Sequence, residues 1–267
     1  MKKSLVFILG LSVTTASLHA APLFSDDFNT YSAGNLVGQG GWSQTGATAT
    51  TPIQVSSGKA ALGISGQDVY SALPGGISSF ADGSTFYLGL NLNVSAAQAT
   101  GDYFLHYSPT VGESSLFFDR LFVKSSGAGF VLGYLATSGT GSGVLYGSTV
   151  LSFNTDYRTV LAYNAVAGTQ NDTAAIYVNP SDLSVELNNT AYATFGWNGG
   201  TVSAENHNVA AVNLRQGGNT ASATLTVDNL NASQSFADVA TYTAVPEPAS
   251  ITLLGISLTA LLIRRRK

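Results

Sequence analysis

Apolar residues alternate one for one with polar or small ones from Phe86 to Val94: Phe86, Leu88, Leu90, Leu92 and Val94 against Tyr87, Gly89, Asn91 and Asn93. A period of two places the five apolar residues on the core face of a strand and the others toward water. Ala223, Leu225 and Val227 alternate in the same way with Ser222, Thr224, Thr226 and Asp228, and Ala210, Val212 and Leu214 with Val209, Ala211, Asn213 and Arg215. Further short β-runs are predicted at 54–55, 60–64, 69–73, 103–107, 116–124, 130–135, 157–163 and 174–178. Turn-forming clusters punctuate them: Pro74-Gly75-Gly76, Asp82-Gly83, Ser125-Ser126-Gly127, Gly139 to Gly143, Asn179-Pro180 and Gly217-Gly218-Asn219. Helical periodicity is almost absent between the two ends. Many short strands with regular turns predict a single all-β domain, an antiparallel sandwich or barrel.

The ends follow a different pattern. Lys2 and Lys3 precede an apolar stretch from Leu5 to Leu11, and Ala20 closes a cleavage site, which predicts a signal peptide over 1–20 removed by signal peptidase. Near the other end stand Val245, Pro246, Glu247, Pro248, Ala249 and Ser250, then an uncharged run from Ile251 to Ile263, then Arg264, Arg265, Arg266 and Lys267. The two prolines hold φ and favour an extended, accessible peptide. A run of thirteen uncharged residues is short for a helix spanning a bilayer, which takes about 20. Snorkelling arginine and lysine stems extend the reach, and the basic residues are expected to stay on the cytoplasmic side.

This order of a Pro-Glu-Pro motif, a short hydrophobic helix and basic residues resembles the PEP-CTERM sorting signal of Gram-negative bacteria. The resemblance covers Val245 to Lys267. It implies recognition by exosortase, a membrane-embedded cysteine protease, after transient anchoring in the inner membrane. Release or transfer to the cell surface follows, often where exopolysaccharide is made. Within the body, Asp26-Asp27-Phe28, Gly38-Gln39-Gly40-Gly41-Trp42, Asn171-Asp172-Thr173, Val178-Asn179-Pro180, Leu214-Arg215-Gln216-Gly217 and Val227-Asp228-Asn229-Leu230 together resemble concanavalin A-like (LamG-like) jelly rolls. That resemblance implies two packed antiparallel sheets over 21–243 with the first and last strands close in space, and a sorting signal over 244–267. It does not imply one activity, because the fold hosts lectins, glycosidases and adhesive modules.

Charge separates the body from its ends. Of eleven Lys and Arg residues only Lys59, Arg120, Lys124, Arg158 and Arg215 lie in the body, against fourteen carboxylates, a net charge near −9. An acidic body argues against nucleic acid as a partner. The chain has no cysteine, so disulfides and thiol chemistry are excluded.

Catalytic signatures are sparse. Glycosidases need two carboxylates at a set separation. Glu113, Glu186 and Glu205 have no acidic residue two positions away, and Asp182 and Glu186 would stand about 13 Å apart along an extended strand. Gly-x-Ser-x-Gly and His-x-x-x-His are both missing, and His106 and His207 are the only histidines of the body. Hard oxygen ligands at the expected seam of first and last strands, Asp26, Asp27 and Asp228, are candidates for structural calcium; no other cofactor is expected. Trp197 with Asn198, between glycines in Phe195-Gly196-Trp197-Asn198-Gly199-Gly200, is a candidate sugar platform. The primary expectation is a non-enzymatic, exported surface or extracellular-matrix protein sorted by exosortase. A carbohydrate-binding module is the alternative, and a glycoside hydrolase the remote one.

Overall fold

The computed structural model describes residues 22–46, 51–75, 78–137, 143–201, 207–217 and 220–241. The predicted signal peptide with Ala20, the segment Val245 to Ser250, the apolar run Ile251–Ile263 and the basic residues Arg264 to Lys267 lie outside the described residues. Among the described residues no helix is long and apolar enough to cross a membrane.

The protein is an all-β antiparallel sandwich of the jelly-roll kind. Strands are numbered in chain order. One sheet contains β1 (Phe24–Asp26), β2 (Gly34–Asn35), β4 (Gln54–Ser56), β5 (Lys59–Leu62), β8 (Thr85–Ala96), β14 (Asp156–Asn164), β15 (Thr173–Val178), β16 (Ala193–Phe195) and β19 (Thr224–Ser233). Its spatial order is β16-β15-β14-β8-β19-β5-β4-β2, with β1 also on β19. The second sheet contains β3 (Trp42–Thr45), β6 (Asp68–Ala72), β9 (Asp102–Ser108), β10 (Phe118–Ser126), β11 (Gly129–Thr137), β12 (Leu145–Tyr146), β13 (Leu151–Ser152) and β18 (Ala211–Leu214), ordered β12-β11-β10-β9-β18-β6-β3 with β13 on β11. A small third ladder joins β7 (Ser78–Ser79) to β17 (Asn208–Val209). The first and last strands meet, with Asp26 opposite Leu230.

The core lies between the two large sheets. Leu88, Leu90, Leu92 and Val94 of β8 share it with Leu105, Tyr107, Leu121, Val123, Leu132, Val212 and Leu214. Each such side chain, fully removed from water, contributes about 1.5–3 kcal/mol of hydrophobic stabilisation. The alternation along β8 therefore has the predicted consequence on this side.

On the other side it does not. Tyr87 and Asn91 were expected to face water, yet they are 7 % and 8 % exposed. A five-residue helix, α1 (Phe236–Ala240), lies across the outer face of the first sheet. Phe236 docks edge-on to Tyr87 and Tyr177, at ring distances of 5.7 and 5.6 Å. Beneath it, Glu186 accepts hydrogen bonds from Tyr87 Oη (2.6 Å) and Tyr177 Oη (2.8 Å). The extended segment expected from Asp182 to Glu186 is instead a turn entering a 3-10 helix, Glu186–Asn188. Asp182 closes that turn by accepting from the backbone N–H groups of Ser184 and Val185 and from Asn188.

Candidate functional site

The outer face of the second sheet carries a continuous row of rings and cations, and a bulge in β9 completes it. Along β10, Leu121 and Val123 enter the core, so Phe122 and Lys124 point outward. An unbroken β9 would put Tyr103 on the core side with Leu105 and Tyr107. The register instead runs from Leu121 opposite Leu105 directly to Phe122 opposite Tyr103. Phe104 is the extra residue, and it joins Leu105 in the core. Tyr103 is thereby turned out beside Phe122, with ring centroids 5.4 Å apart. A second irregularity, between Phe118 and Leu121, holds Asp119 at φ 49°, and Arg120, two residues before Phe122, shares its side.

Neighbouring strands extend the row. Tyr146 of β12 lies opposite Gly133, and a Cβ there would come within 2.5 Å of its ring. The glycine is thus the floor on which Tyr146 rests, 6.4 Å from Phe122. At the other end Phe117 lies 6.1 Å from Tyr103 and 4.6 Å from His106. His106 is buried and neither ring nitrogen has a hydrogen-bond partner. Burial, then the charges of Arg215 and Arg120, push its pKa down to about 3, so it is neutral.

Three of the body's five cations sit on these rings. Lys124 Nζ is 4.1 Å from the centroid of Tyr146, and the guanidinium carbons of Arg215 and Arg120 are 4.1 and 5.2 Å from that of Tyr103. Each such contact stabilises by about 0.5–2 kcal/mol. Arg215 is also an ion-pair centre: Nη1 donates to Asp102 at 2.8 Å, and Nε stands 3.7 Å from Asp68. Asp68 and Asp102 thus both turn an oxygen to one guanidinium, and burial raises the Asp68 carboxyl to about 6 against the pull of Arg215. Among the described residues no carboxylate pairs with Arg120 or Lys124. Arg120 is 7 % exposed and its Nε has no hydrogen-bond partner. The row and α1 lie on opposite outer faces of the sandwich.

The residues singled out from sequence lie elsewhere. Trp197 is half-buried against the core, and its Nε1 donates to the carbonyl of Gly200 at 2.8 Å. Asn198 Oδ1 accepts from the Ala136 N–H (2.9 Å), and Nδ2 donates to the carbonyls of Tyr134 (2.7 Å) and Gly143 (3.1 Å). The pair stitches a loop to β11, and the side-chain polar groups expected to meet a sugar are engaged with the protein. Asp26 is buried and accepts from Phe28 N–H (2.8 Å), Tyr31 Oη (2.7 Å) and Trp42 Nε1 (2.6 Å). Asp27 and Asp228 accept from the N–H groups of Asn29 and Asn229. Among the described residues no three His, Asp or Glu side chains are grouped to hold a metal ion.

A second polar cluster occupies one end of the sandwich. Tyr134 donates to buried Asp119 at 2.6 Å, Tyr163 donates to Asp172, and His207 Nε2 lies 3.2 Å from that carboxylate. Asp119, Tyr163 and His207 line a cavity of about 10 Å³ with Phe80, Phe86 and Phe118. That space holds about one water and no sugar.

No curated protein matches the sequence. Solved structures similar to it include the CBM2 module of the Lactobacillus casei BL23 phage J-1 evolved Dit, at 10 % identity and TM-score 0.47, covering 79 % of this chain and 94 % of that one. Others are an endo-1,3-beta-glucanase from Streptomyces sioyaensis (12 %, TM-score 0.46, 83 % and 98 %) and the PL7 alginate lyase AlyA1 from Zobellia galactanivorans (12 %, TM-score 0.44, 72 % and 93 %). The sequence itself carries a more specific signature: residues 244–267 match the PEP_exosort_dom family, so this β-sandwich protein bears the PEP-CTERM protein-sorting motif, the signal of an exosortase-sorted, exported protein.

Proposed function

We propose that the chain is an exported envelope or extracellular-matrix protein of a Gram-negative bacterium whose sandwich body binds polysaccharide without chemically altering it. Signal peptidase acts near Ala20, the segment from Ile251 to Lys267 holds the chain transiently in the inner membrane, and exosortase processes the Pro246-Glu247-Pro248 region. The observation that carries the binding reading is the row Tyr146, Phe122 and Tyr103 with Lys124, Arg120 and Arg215 on the outer face of the second sheet. Rings interleaved with hydrogen-bond donors suit pyranose faces and their substituents. The row is on the face of the body opposite α1.

Four of the body's carboxylates have structural work. Glu186 binds two tyrosines, Asp182 closes a turn, and Asp68 and Asp102 flank Arg215 instead of an open gap. The test is electrophoresis of the chain in mild detergent through gels containing a panel of polysaccharides. Retardation by at least one polymer, lost in Tyr146→Ala and kept in Trp197→Ala, is expected, with the polymer unshortened after incubation. Retardation by none, or a shortened polymer, overturns this reading.

A further inference from the structure

We propose that the ligand of this face is an acidic polysaccharide, one carrying carboxylates on its sugars, and that Arg120 and Lys124 are the groups that meet its charges. The inference rests on the polysaccharide reading above and adds the chemical class.

The distribution of charge carries it. The body holds fourteen carboxylates and five cations, so a cation without a carboxylate partner stands out. Lys59 lies 3.7 Å from Asp156, Arg158 is buried beneath α1, and Arg215 is held by Asp68 and Asp102. That leaves Arg120 and Lys124, which share the outer side of β10 two outward positions apart, with Phe122 between them. A side chain of Arg120's burial, with an Nε that donates to nothing, is costly in a protein that has so many anions to offer. An incoming carboxylate supplies the counter-charge that the protein does not, and a guanidinium meets it through its terminal N–H donors.

The spacing of rings selects a sugar chain over other polyanions. Tyr103 and Tyr146 are half-buried and stand on either side of Phe122, so a chain crossing from β9 to β12 meets a ring, a cation, a ring and a cation in turn. Acidic polysaccharides space their charges by at least one sugar. Duplex nucleic acid carries a charge about every 1.7 Å, and the remaining acidic surface would repel it more strongly.

The experiment uses the chain in mild detergent and gels containing polygalacturonic acid, its carboxyl-reduced counterpart, or polyphosphate. Polygalacturonate is expected to retard the protein, and retardation should weaken as salt rises through about 0.2 M. The reduced polymer and polyphosphate should retard it little. Lys124→Gln changes a partly exposed residue, so it should keep the melting temperature while weakening the interaction roughly ten-fold. Arg120→Lys, which retains the charge but loses the paired donors, should fall between it and the parent. Equal retardation by the reduced polymer removes the acidic-ligand inference and leaves polysaccharide binding standing. Equal retardation by polyphosphate, or an unchanged interaction in folded Lys124→Gln, also overturns the inference. Retardation by no polysaccharide of the wider panel overturns both readings.

Discussion

The guanidinium of Arg158 donates to the carbonyl oxygen of Val239 through Nε, at 2.9 Å, and again through Nη2. Nη1 reaches the carbonyl of Asn229 at 2.8 Å and the Asn91 amide oxygen at 3.2 Å. A cation from β14 thus fastens α1, the last described element before the sorting motif, to the outer face of the first sheet. Arg158→Met should leave those carbonyls without donors and cost about 2–4 kcal/mol. In a domain of this size that is a fall in melting temperature of roughly 5–15 °C. Limited proteolysis should also cut near 236–241 sooner. Gly89→Ala checks the same clamp from the other side, because its Cβ would lie 2.2 Å from the Val239 carbonyl.

Asp26 works as an acceptor for the opening turn. Replacing it with Ala should leave the Trp42 indole N–H and the Tyr31 hydroxyl without their acceptor in a site where Trp42 is 1 % exposed. A loss of about 2–4 kcal/mol is expected in denaturant titration. With its oxygens already engaged, Asp26 gives calcium no vacant seat, and EDTA should not shift the melting temperature. A drop of several degrees with EDTA would restore the calcium expectation for Asp26, Asp27 and Asp228.

Asp119 should make stability depend on pH. Burial, opposed by the hydrogen bond from Tyr134, raises its carboxyl from 3.8 to about 7. The folded state therefore holds a proton that the unfolded chain has lost between about pH 4 and 7. Its contribution is fully present below the unfolded value and is lost as pH rises to 7, at up to about 1.4 kcal/mol per pH unit. Asp119→Asn keeps the shape, tolerates φ 49°, and cannot ionise. It should be more stable than the parent at pH 8, with a flatter stability profile from pH 4 to 7 in urea titrations. An unchanged profile contradicts this assignment.

The sorting motif predicts a processing phenotype. Glu247→Ala should accumulate in the membrane at full length, while the parent is shortened, as judged by fractionation and mass spectrometry. Normal shortening of that variant would contradict recognition through Pro246-Glu247-Pro248.

Much of the fold is legible because a strand with one buried face writes a period of two. β8, β14, β15 and β19 were foreseeable from that pattern, as was the hairpin at Gly127 between β10 and β11. Short edge strands such as β2, β12 and β16 were not, since two or three residues carry no period. The candidate site was harder still. The segment Tyr103 to Tyr107 is legible as a strand, and unbroken alternation along it would put Tyr103 in the core with Leu105 and Tyr107. Only the extra residue Phe104, visible once β9 pairs with β10, turns Tyr103 outward.

The sequence alone determined what local pattern can encode: an all-β body, an acidic and cysteine-free composition, and a sorting motif whose order of unlike parts needs no folding to be read. The tertiary structure decided what depends on partners far along the chain. Register and bulges brought Tyr103, Arg120, Lys124, Tyr146 and Arg215 together from three strands and the loop after β18. Trp197 and Asn198 found partners in Gly200 and β11, and Asp26 found its partner in Trp42. A side chain's chemistry follows from its type, but its availability follows from what packing and hydrogen bonding leave exposed, and those are set by contacts across the sheets.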